Sequence, residues 1–353
     1  MSGTFIPVCE PFLNGRELEY ITEAVSTGWI SSSGKYVTEF EKSFAAYCGV
    51  TSGVAVCNGT VAIHLALAAA GIGPGDEVII PSFTMIATAF AVCYTGAMPV
   101  FVDADPATWN LDATLVESKI TSKTRAIMPV HIMGLCCDMT AIKDIAAKHG
   151  LLLIEDAAEA HGAEYDGARA GSLSDIAAFS FFGNKNLTTG EGGMVVTNSA
   201  ALDDRLRYLK NLSFPLNAAR EYTHDEIGFN YRMSNLHAAL GLAQVEKADD
   251  YRDMRIRNHS FYRKHLAGIP GIEHQRDPAY DVTWTGRQYR HVHWMNAITI
   301  DPPRFGCGRD ELMARLRAES IDTRKLFTGM HRQKALAGYG CDLTGRFPVT
   351  DRL

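Results

Sequence analysis

The chain has no long apolar run, no basic tract and no CxxC pair, and each absence removes a class of protein. Its longest apolar stretch, residues 62–72, is interrupted by His64 and falls short of the roughly 20 residues a bilayer-spanning helix needs, so no membrane association is expected. Lys and Arg number 34 against 40 Asp and Glu, a formal net charge of -6 without a basic run, so nucleic acid is not an expected partner. Eight cysteines are present, several in apolar contexts where the thiol behaves as a small hydrophobe. This favours a reducing, cytoplasmic setting over a disulfide framework. Cys136 and Cys137 adjoin each other, but no histidine or cysteine cluster accompanies them, and no metal is expected. The first 15 residues lack the basic-then-apolar layout of a secretion signal. Internal repeats and low-complexity segments are also missing.

The sequence does contain a long alternation of strand and helix patterns. At 353 residues, 46% apolar and 21% charged, it suits one large unit plus a smaller one. Helical spacing occurs over 18–26 and 37–47, where Val37, Phe40, Phe44 and Tyr47 recur at three and four. Short apolar runs at 54–57, 77–80, 99–102, 126–130 and 151–155 read as buried strands, with helices such as 61–70, 86–94 and 139–148 between them. Strands 176–180 and 193–197 follow. This is an α/β pattern with a mostly parallel sheet covered on both faces. Helices are expected over 235–247 and 249–265, and the boundary is placed there: residues 1–248 form the large domain and 249–353 a small α+β domain. In the latter, 291–300 alternates like a strand with one exposed face and 309–319 reads as a helix. No closing helix is expected before Leu353, so the natural chain is read as one that can extend further.

Four motifs carry chemistry. The run FSFFGNKNLTTGEGG (179–193) places Lys185 between an apolar strand and a glycine-rich turn. Lysine there suits a Schiff base with an aldehyde, aided when burial lowers its pKa, although the window alone also admits a surface lysine. Cys57-Asn58-Gly59-Thr60 lies between a strand and a helix, where free N–H groups and the helix dipole suit a phosphate; a plain N-cap reads the same way. LLLIED (151–156) runs a strand into Asp156, at the strand end that faces the usual ligand crevice of such sheets. An aspartate there can hold a protonated pyridine nitrogen, or simply cap a helix. Ser180 offers a second hydroxyl for a phosphate, and GFNYRM (228–233) offers polar groups or a turn. An amine, a carboxylate for a ring nitrogen and an anion cradle are together what pyridoxal 5'-phosphate requires.

On these motifs, with TGWISSSGKYVTEFEKSFAAYCGV (27–50), CNGTVAIHLAL (57–67), GIGPGDEVIIPSFT (71–84), IEDAAEAHGA (154–163) and IGFNYRMSNLHAALGLAQ (227–244), the chain resembles the DegT/DnrJ/EryC1/StrS-type sugar aminotransferases, from Pro11 to about His331. The resemblance implies a fold-type I pyridoxal phosphate-dependent transferase with a seven-stranded sheet. It implies that Lys185 carries the cofactor and shuttles protons, Asp156 holds the ring nitrogen and Glu159 contacts the ring's phenolic oxygen. Gly59, Thr60 and Ser180 would bind the phosphate, joined by Asn230 from a second subunit of a homodimer with shared active sites. Met85 stands where members usually place an aromatic on the cofactor ring. Trp29, Ser31, Arg232 and His331 fall in segments that meet the substrate, and Arg324 is a further candidate for an anionic group. Thr328-Gly329 replace the residues usual before that histidine. The expected reaction moves an amino group from glutamate to C4 of a nucleotide-linked 4-keto-6-deoxy sugar, with GDP-4-keto-6-deoxymannose the first choice. The alternatives are a dTDP- or UDP-linked 3- or 4-keto sugar, or a non-catalytic binding or regulatory protein that keeps the fold.

Overall fold

The computed structural model describes residues 4–216, 222–277, 280 and 286–353. Two amphipathic helices, α1 (Glu17–Ser26) and α2 (Lys35–Cys48), precede an alternating run. That run is β1 (Ser52–Val56), α3 (Gly59–Ala69), β2 (Glu77–Pro81), α4 (Ile86–Tyr94), β3 (Met98–Val102), the short α5 (Ala113–Val116), β4 (Thr124–Ile127), α6 (Met139–His149) and β5 (Leu152–Asp156). A small hairpin, β6 (Glu164–Tyr165) and β7 (Ala168–Arg169), leads to β8 (Ile176–Ser180) and β9 (Gly193–Thr197). Helices α7 (Ala200–Lys210), α8 (Asn235–Val245) and α9 (Ala248–Leu266) come next. The remaining elements are β10 (Ile272–His274), β11 (Tyr289–Arg290), β12 (Ile298–Ile300), α10 (Pro302–Phe305), α11 (Arg309–Ala318), α12 (Lys334–Tyr339) and α13 (Pro348–Arg352).

Seven strands form one sheet in the order β1-β9-β8-β5-β4-β2-β3. Its pairings are parallel except for those of β9, which runs against both β1 and β8. The strands are mostly apolar because both faces are covered. Ala177, Phe179, Met194 and Val196 enter one apolar cluster, while Ile176, Ala178 and Val195 enter the cluster on the opposite face. Because β1, β5 and β8 share one direction, their C-terminal ends open on one edge. Asp156 and Ser180 end β5 and β8 there, and α3 starts just past β1.

The segments after α9 are bound to this sheet unit. β11 pairs with β6, while β10 pairs with β12. Residues 291–300 depart from the expected strand. Only Ile298–Ile300 is extended, and His291, Val292, His293 and Trp294 are all buried. The alternation fails because Val292 and Trp294 donate their N–H groups to Gly134 and Met133 carbonyls at 3.1 and 2.8 Å, docking the stretch as a loop. His293 also adopts φ 47°, outside any strand conformation. A short helix, α13, is present at Pro348–Arg352, where none was expected.

Candidate active site

Lys185 lies in the turn between β8 and β9. Its N–H donates to the Phe182 carbonyl at 2.9 Å, and its own carbonyl accepts from Arg255 of α9 at 3.4 Å. Its Nζ sits 4.0 Å from the centroid of the Trp294 ring. Burial pushes the amine below the usual lysine range, and Glu159 and then Asp156 pull it back up. The amine thus gives up its proton more readily than a solvated lysine does.

Two buried carboxyls face it. The Asp156 Oδ2 accepts from Thr88 Oγ1 of α4 at 2.8 Å, and Oδ1 from the Ala158 N–H at 3.2 Å. Burial raises its pKa, with Thr88 and the Ala158 amide opposing. Glu159 accepts from the Met133 N–H at 2.7 Å, and burial pushes it up to about 7. Met133 holds φ 56°, uncommon for a side chain with a Cβ. Behind both acids, Glu155 pairs with His131 at 3.0 Å and accepts from the Gly171 and Leu173 amides and the Ser174 hydroxyl, fixing the end of β5. His161 packs against Phe44, Phe179 and Phe181, and burial lowers its pKa to about 3.

At the start of α3, the Asn58 side chain accepts from the Val61 N–H at 3.0 Å. Gly59 lies against β8: a Cβ there would meet Ser180 Cβ at 2.6 Å and Oγ at 2.9 Å. Only glycine lets the helix start approach Ser180 so closely. Thr60 follows, half-buried. Met85 caps α4 with its sulfur 3.0 Å from the Ala87 nitrogen and is 48% exposed.

The remaining sequence candidates are dispersed. Asn230 is exposed on a segment that runs beside β1, where the Cys57 N–H donates to the Tyr231 carbonyl at 3.0 Å. Arg232 donates to Asn211 Oδ1 at 2.9 Å. Trp29 is 59% exposed and Ser31 is exposed, and both carbonyls accept from Asn235 at 2.6 Å. His331 contacts Asp351 at 2.7 Å and stacks on Phe347, and Arg324 is exposed and pairs with Asp322 at 2.6 Å. Sequence reasoning missed Trp294, Thr88 and the Met133 amide. A threonine inside the apolar helix 86–94 was a usable signal for Thr88. The Trp294 and Met133 contacts carry no local signal, since loop docking creates them.

These residues fit a phosphorylated pyridine aldehyde: an amine whose proton burial loosens, a buried acid, and a helix start cleared by glycine beside a serine. An arrangement of this kind, on the C-terminal edge of a mostly parallel sheet, defines a pyridoxal phosphate-dependent transaminase. The chain belongs to the DegT/DnrJ/EryC1/StrS aminotransferase family, whose pattern it matches over residues 11–353. It is 49% identical over 326 residues to a GDP-perosamine synthase of Caulobacter vibrioides, covering 92% of this chain and 85% of that one. It is 44% identical over 327 residues to the GDP-perosamine synthase of Escherichia coli O157:H7, covering 93% and 86%. Among solved structures, DesI with its TDP-sugar product superposes with a TM-score of 0.88 at 35% identity, covering all of this chain and 86% of that one.

Proposed function

We propose that this enzyme transfers an amino group from glutamate to C4 of GDP-4-keto-6-deoxymannose, forming GDP-perosamine. The observation that carries the reading is the enclosed Lys185 amine facing Asp156 and Glu159, together with the likeness to two synthases of that name. When bound, pyridoxal phosphate supplies a ring that stabilises negative charge on the carbon losing or gaining nitrogen. Asp156 would hold the ring nitrogen and Glu159 the phenolic oxygen. Gly59, Thr60 and Ser180 would hold the phosphate, and Asn230 would reach it from the partner of a homodimer. The Lys185 Nζ moves the proton: it takes one from the amino-bearing carbon of glutamate and delivers one to sugar C4. Glutamate leaves as 2-oxoglutarate, and the sugar ketone becomes an amine. Met85, Trp29, Ser31, Arg232 and His331 are proposed to border the sugar nucleotide. Residues 1–248 would carry the cofactor and 249–353 the smaller domain. Eight free cysteines favour a cytoplasmic setting. No described helix is long and apolar enough to cross a membrane.

The test is a panel of GDP-, dTDP- and UDP-linked keto sugars, each incubated with glutamate and the cofactor-loaded enzyme, with product mass measured. The GDP-linked 4-keto-6-deoxy sugar is expected to gain the amino group fastest. Faster amination of a dTDP or UDP sugar would move the enzyme to another branch of the family.

A further inference from the structure

Away from Lys185, α9, the strand-end segment after β10 and the docked loop 291–294 bring His259, Asp277 and His293 together. All three are buried, and one ligand atom from each lies within 4.8 Å of the others. The Asp277 Oδ2 stands 3.3 Å from His293 Nε2 and 3.7 Å from His259 Nε2. Metal–ligand bonds of about 2.0–2.2 Å in a tetrahedral zinc site place neighbouring donor atoms roughly 3.3–3.6 Å apart, so these spacings are close to those of a bound ion's first ligands.

The tautomer of His259 points the same way. Its Nδ1 lies 3.0 Å from Asn296 Oδ1, an acceptor, so Nδ1 carries the hydrogen and donates. In the neutral ring, Nε2 then presents a lone pair toward a carboxylate oxygen, and it has no hydrogen-bond partner. A neutral nitrogen lone pair beside a carboxylate oxygen in a buried site is a pair of donor atoms that a cation can bridge. An imidazole oriented by a hydrogen bond at its other nitrogen is the usual support of a metal ligand. The His259 and His293 rings are stacked, with centroids 3.6 Å apart and planes 4° apart. In-plane approach of one ion to both Nε2 atoms therefore requires one ring to turn about its Cβ–Cγ bond. Turning His293 breaks no Nδ1 hydrogen bond, but its ring also lies 3.7 Å from that of His291, which must shift with it.

We propose that His259, Asp277 and His293 bind one divalent cation of the zinc class. Two imidazoles and one carboxylate suit such an ion better than calcium or magnesium, which favour oxygen donors. The ion would clamp α9 to the loop that carries Trp294. Arg255 of the same helix already donates to the Trp294 carbonyl at 2.7 Å, and the Trp294 ring lies over Lys185. The ion's role is structural: it fixes that loop and takes no part in the amino transfer.

The test uses the full-length, cofactor-loaded protein incubated with Zn²⁺ or Co²⁺ alone and then dialysed, beside Asp277→Asn and His293→Ala. About one equivalent of metal per chain is expected, with a melting temperature lowered by chelator and restored by Zn²⁺. Each substitution is expected to weaken binding by at least about tenfold, as loss of even supporting groups does. The cobalt form should give visible bands of nitrogen and oxygen ligation without thiolate charge transfer, a readout that holds even where a variant fails to fold. Metal well below one equivalent with melting indifferent to chelator would reduce the cluster to hydrogen-bonded side chains. Equal metal content in parent and variants, or thiolate bands, would assign the ion to cysteines and overturn the proposal.

Discussion

Each residue that matters at the amine owes its behaviour to burial. Replacing Lys185 with Ala is expected to cost turnover at least the roughly 10²–10⁴-fold of a lost acid–base group, with the melting curve little changed; rapid-quench measurement of amino transfer checks it. Glu159 leaves a different signature. Its carboxyl titrates near 7 in the folded chain against 4.5 for an ordinary glutamate. Between those values the folded state holds a proton that the unfolded state has released, so stability falls as pH rises from about 4.5 to 7. The loss is on the order of 3 kcal/mol if the shift is fully expressed. The cofactor-free Glu159→Gln variant should lack this slope, and denaturant midpoints of both proteins at pH 5 and 7.5 would test it. Parallel pH profiles would mean Glu159 titrates normally. Lys185 and Asp156 were legible in the sequence because their motifs are local. Thr88, Trp294 and the Met133 amide were not, because each meets the site through a separate element whose approach only the folded chain defines.

Elements were legible where burial is two-sided or helical. β8 up to Phe179 and the first three residues of β5 are apolar runs because each face packs into its own cluster, and α2 shows its buried stripe at Phe40 and Phe44. The stretch 291–300 misled because its alternating polar residues include His291 and His293, which are buried among other histidines rather than turned to water. Helix contacts also depend on small residues that periodicity does not register. A Cβ added at Gly241 of α8 would fall 2.6–2.8 Å from three carbons of the Phe40 ring on α2. Gly241→Ala is expected to destabilise the fold by about 1–3 kcal/mol, as overpacking does, and a lowered urea midpoint would reveal it. An unchanged midpoint would mean that α2 and α8 can separate without cost.

At the scale of the whole molecule, Trp29, Ile30, Met85 and Phe182 leave large apolar side chains exposed. The proposed homodimer would cover such side chains and supply Asn230 to the opposite cradle. Sedimentation should give twice the chain mass. Asn230→Ala should weaken cofactor binding by about 1–3 kcal/mol, the cost of leaving a charged group short of one hydrogen bond. Sedimentation of a monomer that binds the cofactor fully would remove the shared site.

The buried carboxylate of Asp103, just past β3, accepts from Val349 N–H at 3.0 Å, Thr350 N–H at 2.9 Å and the Thr350 hydroxyl at 2.7 Å. These donors lie 246 and 247 positions further along the polypeptide. During synthesis the early strands can assemble, yet this carboxylate keeps only the neighbouring Ala104 N–H, at 2.9 Å, until residues 349 and 350 emerge and return to it. Loop closure over such a span makes it a late and slow event, and until then one rim of the nascent protein stays open to water.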